Sequence, residues 1–342
     1  MVSTLSLPLV VALFVLAAGV VAVCGVRMTG LADQLGDRTG LGEAVVGGVL
    51  LGLATSLSGT VVSITAALDD RPALAFANGV GGIAAQTAFL ALADLLFRRV
   101  NMEHAAADLS SVVQAALLCL LLSLPLLAIT GPEVALWGIH PVSPVLAVVY
   151  VLGVRATAKV REAPMWRPVA TRDTRVDAPE TAQAGSAGIG ALLARFAVLA
   201  LAMGLAGWVI SKTGGRLSDA VGVSETAVGA LLTAVTTSLP ELITTLAAVR
   251  RGALQLAVGG IIGGNCFDVL FLTASDVAYR PGSLYHAIDS DAVFWLVVGL
   301  AMTAVLLLGL IVRERRGIAG IGFESVGILG LYALAVTVQT VR

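Results

Sequence analysis

Apolar runs of about 20 residues, the length that crosses the hydrocarbon of a bilayer, recur from one end of this 342-residue chain to the other. No other feature constrains the fold as much. The runs predict an all-α integral membrane protein with ten spans, at roughly 6–27, 41–68, 73–97, 108–130, 139–157, 189–211, 223–249, 254–278, 290–312 and 319–340. Charged residues make up 13% of the chain, against about 25% in soluble domains. A net charge of -1, with no basic face or domain, argues against a nucleic-acid partner. The lipid bilayer is the expected partner. The three cysteines, Cys24, Cys119 and Cys266, all fall in apolar runs and read as free, buried thiols. The N-terminal stretch lacks a basic flank and a small-x-small cleavage box, so it reads as a retained first helix.

A polar segment from Ala158 to Ser186 divides five spans from five. It gives a first unit at 1–157, a linker at 158–188 and a second unit at 189–342, and reads as a mobile loop. With the N-terminus outside, only Arg71, Lys212, Arg216, Arg280 and Arg342 of the 21 basic residues face outward. The positive-inside rule then puts the central loop in the cytoplasm and both termini outside the cell membrane.

The two units repeat. A single constant shift brings Glu43 onto Glu225, Gly47 onto Gly229, Thr55 onto Thr237 and Ser56 onto Ser238 without a gap. It continues with Gly81 on Gly263, Gly82 on Gly264, Phe89 on Phe271 and Asp94 on Asp276. Five spans per unit is an odd number, so the second unit enters the membrane from the other side. Inverted repeats of this kind are common in secondary transporters, with the substrate near the midplane where the repeats meet.

The run "VGALLTAVTTSLPELITTLAAV" holds a proline and a carboxylate where lipid would favour neither. Pro240 removes a backbone donor, and freed carbonyls are tolerated only against protein or a wet cavity. Thr237, Ser238 and Glu241, at helical spacings of three and four, share a face. The next run, "AVGGIIGGNCFDVLFL", adds Asn265 and Asp268, with Gly259, Gly260, Gly263 and Gly264 allowing a neighbouring helix to approach. A charged Asp at the membrane centre costs at least about 2.5 kcal/mol. Two such acids in adjacent spans predict a bound, paired or protonated state. Hydroxyls, carboxylates and loosened carbonyls suit a hard cation.

"TSLPEL" followed by "GGIIGGNCFDVL" resembles the second repeat of the Na⁺/Ca²⁺ exchanger family, within the cation/Ca²⁺ antiporter superfamily. The resemblance implies ten helices in two inverted repeats and alternating access at a shared midplane site. In that reading the first and sixth spans, with Gly19, Gly25 and Gly204, slide against the rest. It implies cation ligands at Glu241, Asp268, Thr237, Ser238 and Asn265 from the second repeat, and at Thr55, Ser56 and Gln86 from the first. Ca²⁺, Na⁺ and H⁺ are then transported ions, and no cofactor is expected.

The first repeat departs from the pattern. It reads "ATSLSG" where the family has G-T-S-L-P-E, so Ser58 replaces the proline and Gly59 the glutamate. Gln86 stands in for Asn or Asp, Ile83 for Asn, and Gly82 and Gly264 for serine, while Asn78 keeps the earlier Asn. Glu241 and Asp268 supply at most two negative charges, enough for one divalent ion. Ca²⁺ prefers six to eight oxygens, so the expectation is altered selectivity or coupling. The alternative is a degenerate homologue that binds or regulates without transport.

Glu43, Glu225, Asp94 and Asp276 lie near span ends and are candidates for gating or access. The turn Asp69-Asp70-Arg71 reads as a solvated loop, and Asp289 and Asp291 as surface residues. No metalloprotease, nucleophile-elbow or phosphate-loop motif is present, and His104, His140 and His286 fall in unrelated segments, so an enzyme is not expected.

Overall fold

The computed structural model describes residues 5–39, 52–97, 100–174, 188–317 and 321–341. Its elements are α1 (Leu7–Thr39), α2 (Gly52–Leu68), α3 (Pro72–Phe97), the single turn α4 (Met102–Ala105), α5 (Leu109–Thr130) and α6 (Val142–Glu162). After the linker come α7 (Ile189–Val221), α8 (Glu225–Thr237), α9 (Leu239–Arg251), α10 (Leu254–Asp268), α11 (Leu270–Ala278), α12 (Ser290–Val312) and α13 (Phe323–Val341). Among the described residues, eight helical stretches are long and apolar enough to cross a membrane, and α8 with α9 makes a ninth. The span expected at 41–68 lies partly outside the described residues, which include only its α2 portion.

The main break in a span follows from one residue. α8 and α9 meet at 46° across Ser238, with Pro240 in the first turn of α9, where its missing N–H costs nothing. A π-helical segment, Val228–Thr233, precedes the break. In the first half Ser58 stands in place of Pro240, and α2 runs unbroken through it.

α3 is buried along nearly its whole length, and two close helix approaches lie beside it. A Cβ at Gly81 would fall on the backbone of Ala230, and one at Gly229 would come within 2.8 Å of the Ala77 side chain and 3.0 Å of the Leu74 carbonyl. The glycines expected to serve this purpose do not. Gly259 and Gly263 face Ser111 and Gln114 at ordinary contact distance, and Gly260 meets nothing. Cys24 and Cys266 are buried as expected, whereas Cys119 is only half-buried, and all three are free.

α1 and α7 pack on each other and on the outside of α2, α8 and α9. Their crossings are symmetric. Gly25 presses on the Pro240 ring. Its repeat counterpart, Gly207, presses on Ser58, with its Cβ position 2.7 Å from the Ser58 carbonyl.

Two loops are more structured than their polarity implies. Asp69 and Asp70 form an exposed turn, as expected, and Asp69 and Arg71 are also ion-paired. Lys212 pairs with Asp69 at 2.6 Å, and Arg71 reaches Asp219 at 2.6 Å and Glu225 at 2.9 Å, which ties the α2–α3 turn to α7. The described part of the central linker is likewise held: Arg315 pairs with Asp173 at 2.6 Å, Arg313 donates to the Val169 carbonyl at 2.9 Å, and His104 Nε2 lies 2.9 Å from the Thr171 hydroxyl. Asp289 is exposed, as expected, and it caps α12 and accepts from Thr226 at 2.9 Å.

Candidate cation site

The break at Ser238 and the end of α10 at Asp268 bring the second-half residues against α2 and α3. A cavity of about 10 Å³ forms there, lined by Ser56, Gly59, Gln86, Ser238, Glu241, Asp268 and Phe271 among others. That is near the smallest volume able to hold one water. Ser56 donates to Asp268 Oδ1 at 2.5 Å, and Gln86 Nε2 donates to Asp268 Oδ2 at 2.6 Å and to Ser238 Oγ at 3.2 Å. The arrangement is two-fold in kind: Ser56 is the repeat counterpart of Ser238, and Gln86 of Asp268. Thr55 reaches the Glu241 carboxylate, and Thr237 back-bonds to the Thr233 carbonyl at 2.9 Å. Asn265 lies to one side, donating to Thr87 at 3.0 Å.

Three buried acceptor oxygens in this group receive no hydrogen bond: Glu241 Oε2, Gln86 Oε1 and Asn265 Oδ1. Buried polar atoms are nearly always partnered, so these acceptors are open to a hydrogen-bond donor or a cation. Of the eight residues nominated from sequence, seven converge on the cavity or directly behind its wall. Asn265 stands a helical turn before Asp268, on the Thr87 side of α10.

Gly59 is where the first-half carboxylate is absent, and the structure gives the reason its space is not open. A Cβ there would lie 2.6 Å from Phe271 Cε2. The phenyl ring occupies the volume a longer side chain would need. Asn78 lies behind it, donating to the Gly59 carbonyl at 3.1 Å and to Ser63 at 2.9 Å, and accepting from Thr233 at 2.9 Å. Phe271, Thr87 and Thr233 were not nominated from sequence, since an aromatic or a threonine in an apolar run gives no sign of which way it faces.

The candidates for gating and access are dispersed. Glu43 lies outside the described residues. Glu225 pairs with Arg71. Asp94 and Asp276 are buried, at 1% and 0% exposure, and bonded within the protein; neither lines the cavity.

The described residues thus form a fold of apolar, membrane-length helices with one broken span and a small polar pocket of acids, amides and hydroxyls. The sequence profile of the sodium/calcium exchanger protein family matches residues 9–154 and 191–341, and the chain belongs to that family. It is 31% identical over 91 residues to the sodium/calcium exchanger MaX1 of Methanosarcina acetivorans, covering 27% of this chain and 25% of that one. It is 38% identical over 68 residues to inner membrane protein YrbG of Escherichia coli, covering 20% of this chain and 21% of that one. The matched stretches therefore span well under two thirds of these relatives. The fold matches the sodium-calcium exchanger NCX_Mj with a TM-score of 0.63 at 18% identity, over 97% of this chain and 99% of that one.

Proposed function

We propose that this protein is a secondary-active cation antiporter of the Na⁺/Ca²⁺ exchanger type, moving Ca²⁺ or a related cation against Na⁺ or H⁺. Glu241, Asp268, Thr55, Ser56, Gln86, Thr237, Ser238 and Asn265 form its cation site, and access alternates between the two sides of the cell membrane. The observation that carries this reading is the pair of buried acceptors without donors, Glu241 Oε2 and Gln86 Oε1, in the lining of the Glu241–Asp268 cavity. With two carboxylates in place of three, and Asp268 already held by Ser56 and Gln86, the site suits a single cation at a time. The basic-residue asymmetry supports termini outside and the central linker in the cytoplasm.

Alternating access in this reading comes from α1 and α7 sliding over the rest, with Gly25 on Pro240 and Gly207 on Ser58 as the bearing points. Gly207→Leu is expected to cut flux by about tenfold or more. Overpacking at a close contact costs about 1–3 kcal/mol, and here it falls where the helices must pass. Flux and thermal unfolding measured together check this: equal flux in the variant would remove Gly207 from the moving contact.

A second reading is favoured by Phe271, which fills the Gly59 space: a homologue that binds a cation without moving it. Uptake of radioactive Ca²⁺ into proteoliposomes, first under an outward Na⁺ gradient and then under a pH gradient, separates the two. Gradient-driven uptake identifies an antiporter and its counter-ion. Cation binding with no flux under either gradient, for Ca²⁺ or for monovalent cations, favours the second.

A further inference from the structure

The register that aligns the two halves also aligns two buried bonding motifs. Near the end of α11, Asp276 accepts from the Leu284 N–H at 2.9 Å and from Ser143 at 2.6 Å. Near the end of α3, Asp94 accepts from the Met102 N–H at 2.8 Å and from Ser325 at 2.8 Å. Met102 and Leu284 are counterparts in the repeat, as are Ser143 and Ser325. The same motif is built twice, each time closed by a serine from the other half.

The second copy is completed by uncharged groups. Tyr285 meets Ser143 at 3.0 Å, and the His140 N–H donates to Asp276 at 2.8 Å. In the first copy Glu103 takes the place of Tyr285, and Glu324 that of Val142. The motif does not require these two acids, because its twin holds together without them.

Glu103 and Glu324 are 1% and 0% exposed. Glu324 Oε1 accepts from Asn101 at 2.5 Å, while Glu324 Oε2 and both oxygens of Glu103 receive no hydrogen bond. Asn101 links the two acids, its Oδ1 accepting from the Glu103 N–H at 3.3 Å and its Nδ2 donating to Glu324 Oε1, and so brings the two buried carboxyl groups close together, with Asp94 near. Ionised carboxylates only accept, so this contact is repulsive unless a proton lies between them. Glycines make room for the arrangement: a Cβ at Gly309 would come within 2.7 Å of Glu324 Cβ, and one at Gly322 would fall on the Glu324 carboxyl and the Asn101 amide.

The surrounding charges do not neutralise the pair. Arg313, at the end of α12, donates through Nη1 to the Val169 carbonyl and through Nη2 to the His104 carbonyl, while its buried Nε has no partner. Glu314 accepts from the Phe323 N–H, Asp108 from Ser110, and His104 bonds to the Arg313 carbonyl and Thr171. Among the described residues no ion pair reaches Glu103, Glu324 or Asp94, and no three acids, histidines or cysteines meet in a metal-holding arrangement.

We propose that Glu103 and Glu324 form a proton-binding site, separate from the Glu241–Asp268 cavity, in which one proton is shared between the two buried carboxyl groups. Burial, then the negative charges of Asp94 and Glu324, push the Glu103 carboxyl well above the ordinary carboxylate range. A group that holds its proton more tightly folded than unfolded stabilises the fold fully at acidic pH, and that contribution is lost as pH rises through the raised value. The residue next to Glu103 is His104, which with Arg313 fastens the described part of the central linker, so ionisation would place charge beneath that docking point.

The test uses full-length protein in lipid carrying Glu241→Gln and Asp268→Asn, which removes the central acids from the signal. Infrared absorption of the protonated carboxyl C=O is recorded against pH, alongside the thermal unfolding temperature. The expected result is a carboxylic-acid band at neutral pH that disappears in Glu103→Gln and in Glu324→Gln, each of which keeps a neutral hydrogen-bonding group in place. The fall of unfolding temperature with rising pH is expected to flatten in both. Either variant suffices if the other does not fold. A band of unchanged intensity in the variants, or an unchanged pH slope, would overturn the proposal. So would its removal by Ca²⁺ at constant pH, which would make the pair a metal site instead.

Discussion

Liposomes carrying Glu241→Gln protein are expected to show cation uptake at the level of protein-free liposomes, a loss of about 100-fold or more. The carboxylate is buried in a narrow pocket where Thr55 reaches one side and Oε2 is open to a guest. Removing one partner from a buried charge pair costs about 3–5 kcal/mol, and each 1.4 kcal/mol is about tenfold in affinity. The isosteric amide also relieves the repulsion between Glu241 and Asp268, so the empty protein is expected to be at least as stable as the parent. Uptake and thermal unfolding on the same preparation check both halves. Undiminished uptake would move the transport site elsewhere in the chain.

Gly59→Glu has the other large expected effect, and its sign depends on Phe271. Alone, the substitution drives a side chain into a ring 2.6 Å from its Cβ, an overpacking worth about 1–3 kcal/mol of stability, with no gain in Ca²⁺ binding. Combined with Phe271→Ala, the glutamate has the ring's space. A third carboxylate then joins Glu241 and Asp268, and Ca²⁺ affinity is expected to rise by about tenfold or more over Phe271→Ala alone, since Ca²⁺ is best served by several carboxylate oxygens. Calorimetric titration of the three variants decides this. If the double variant binds no better than Phe271→Ala, the Gly59 position does not face the cation.

Much of the architecture was legible in the chain. The spans expected at 108–130 and 290–312 match α5 and α12 to within a residue, because hydropathy alone delimits a helix with lipid on one side and loops at both ends. The ends of α1 and α7 were not. Both run 33 residues, well past their apolar stretches. In α7 the polar extension is anchored by Lys212–Asp69 and Asp219–Arg71, partners 143 and 148 residues away in sequence. Hydropathy cannot register such contacts. Asp69 and Arg71 therefore read as a solvated turn, although they fasten one helix to another.

The candidate site divides in the same way. Glu241 and Asp268 stand out in a sequence because lipid penalises them wherever they point, and the repeat register identifies Thr55, Ser56 and Gln86 as the first-half members of the set. The pairings across the two halves, Ser56 with Asp268 and Gln86 with Ser238, required the fold, since the register says which residues correspond and not which ones touch. The same holds for Glu103, which no motif or spacing singles out and which stands out only beside Glu324, from the far end of the chain. By itself the sequence determined the helical membrane class, the repeat of its two halves and the lost backbone donor at Pro240, because each is written in local hydropathy, spacing or backbone chemistry. Only the tertiary structure decided that a phenyl ring from α11 fills the place of the absent glutamate and that Glu103, in α4, and Glu324 are brought together through Asn101, because both depend on residues far apart in the chain.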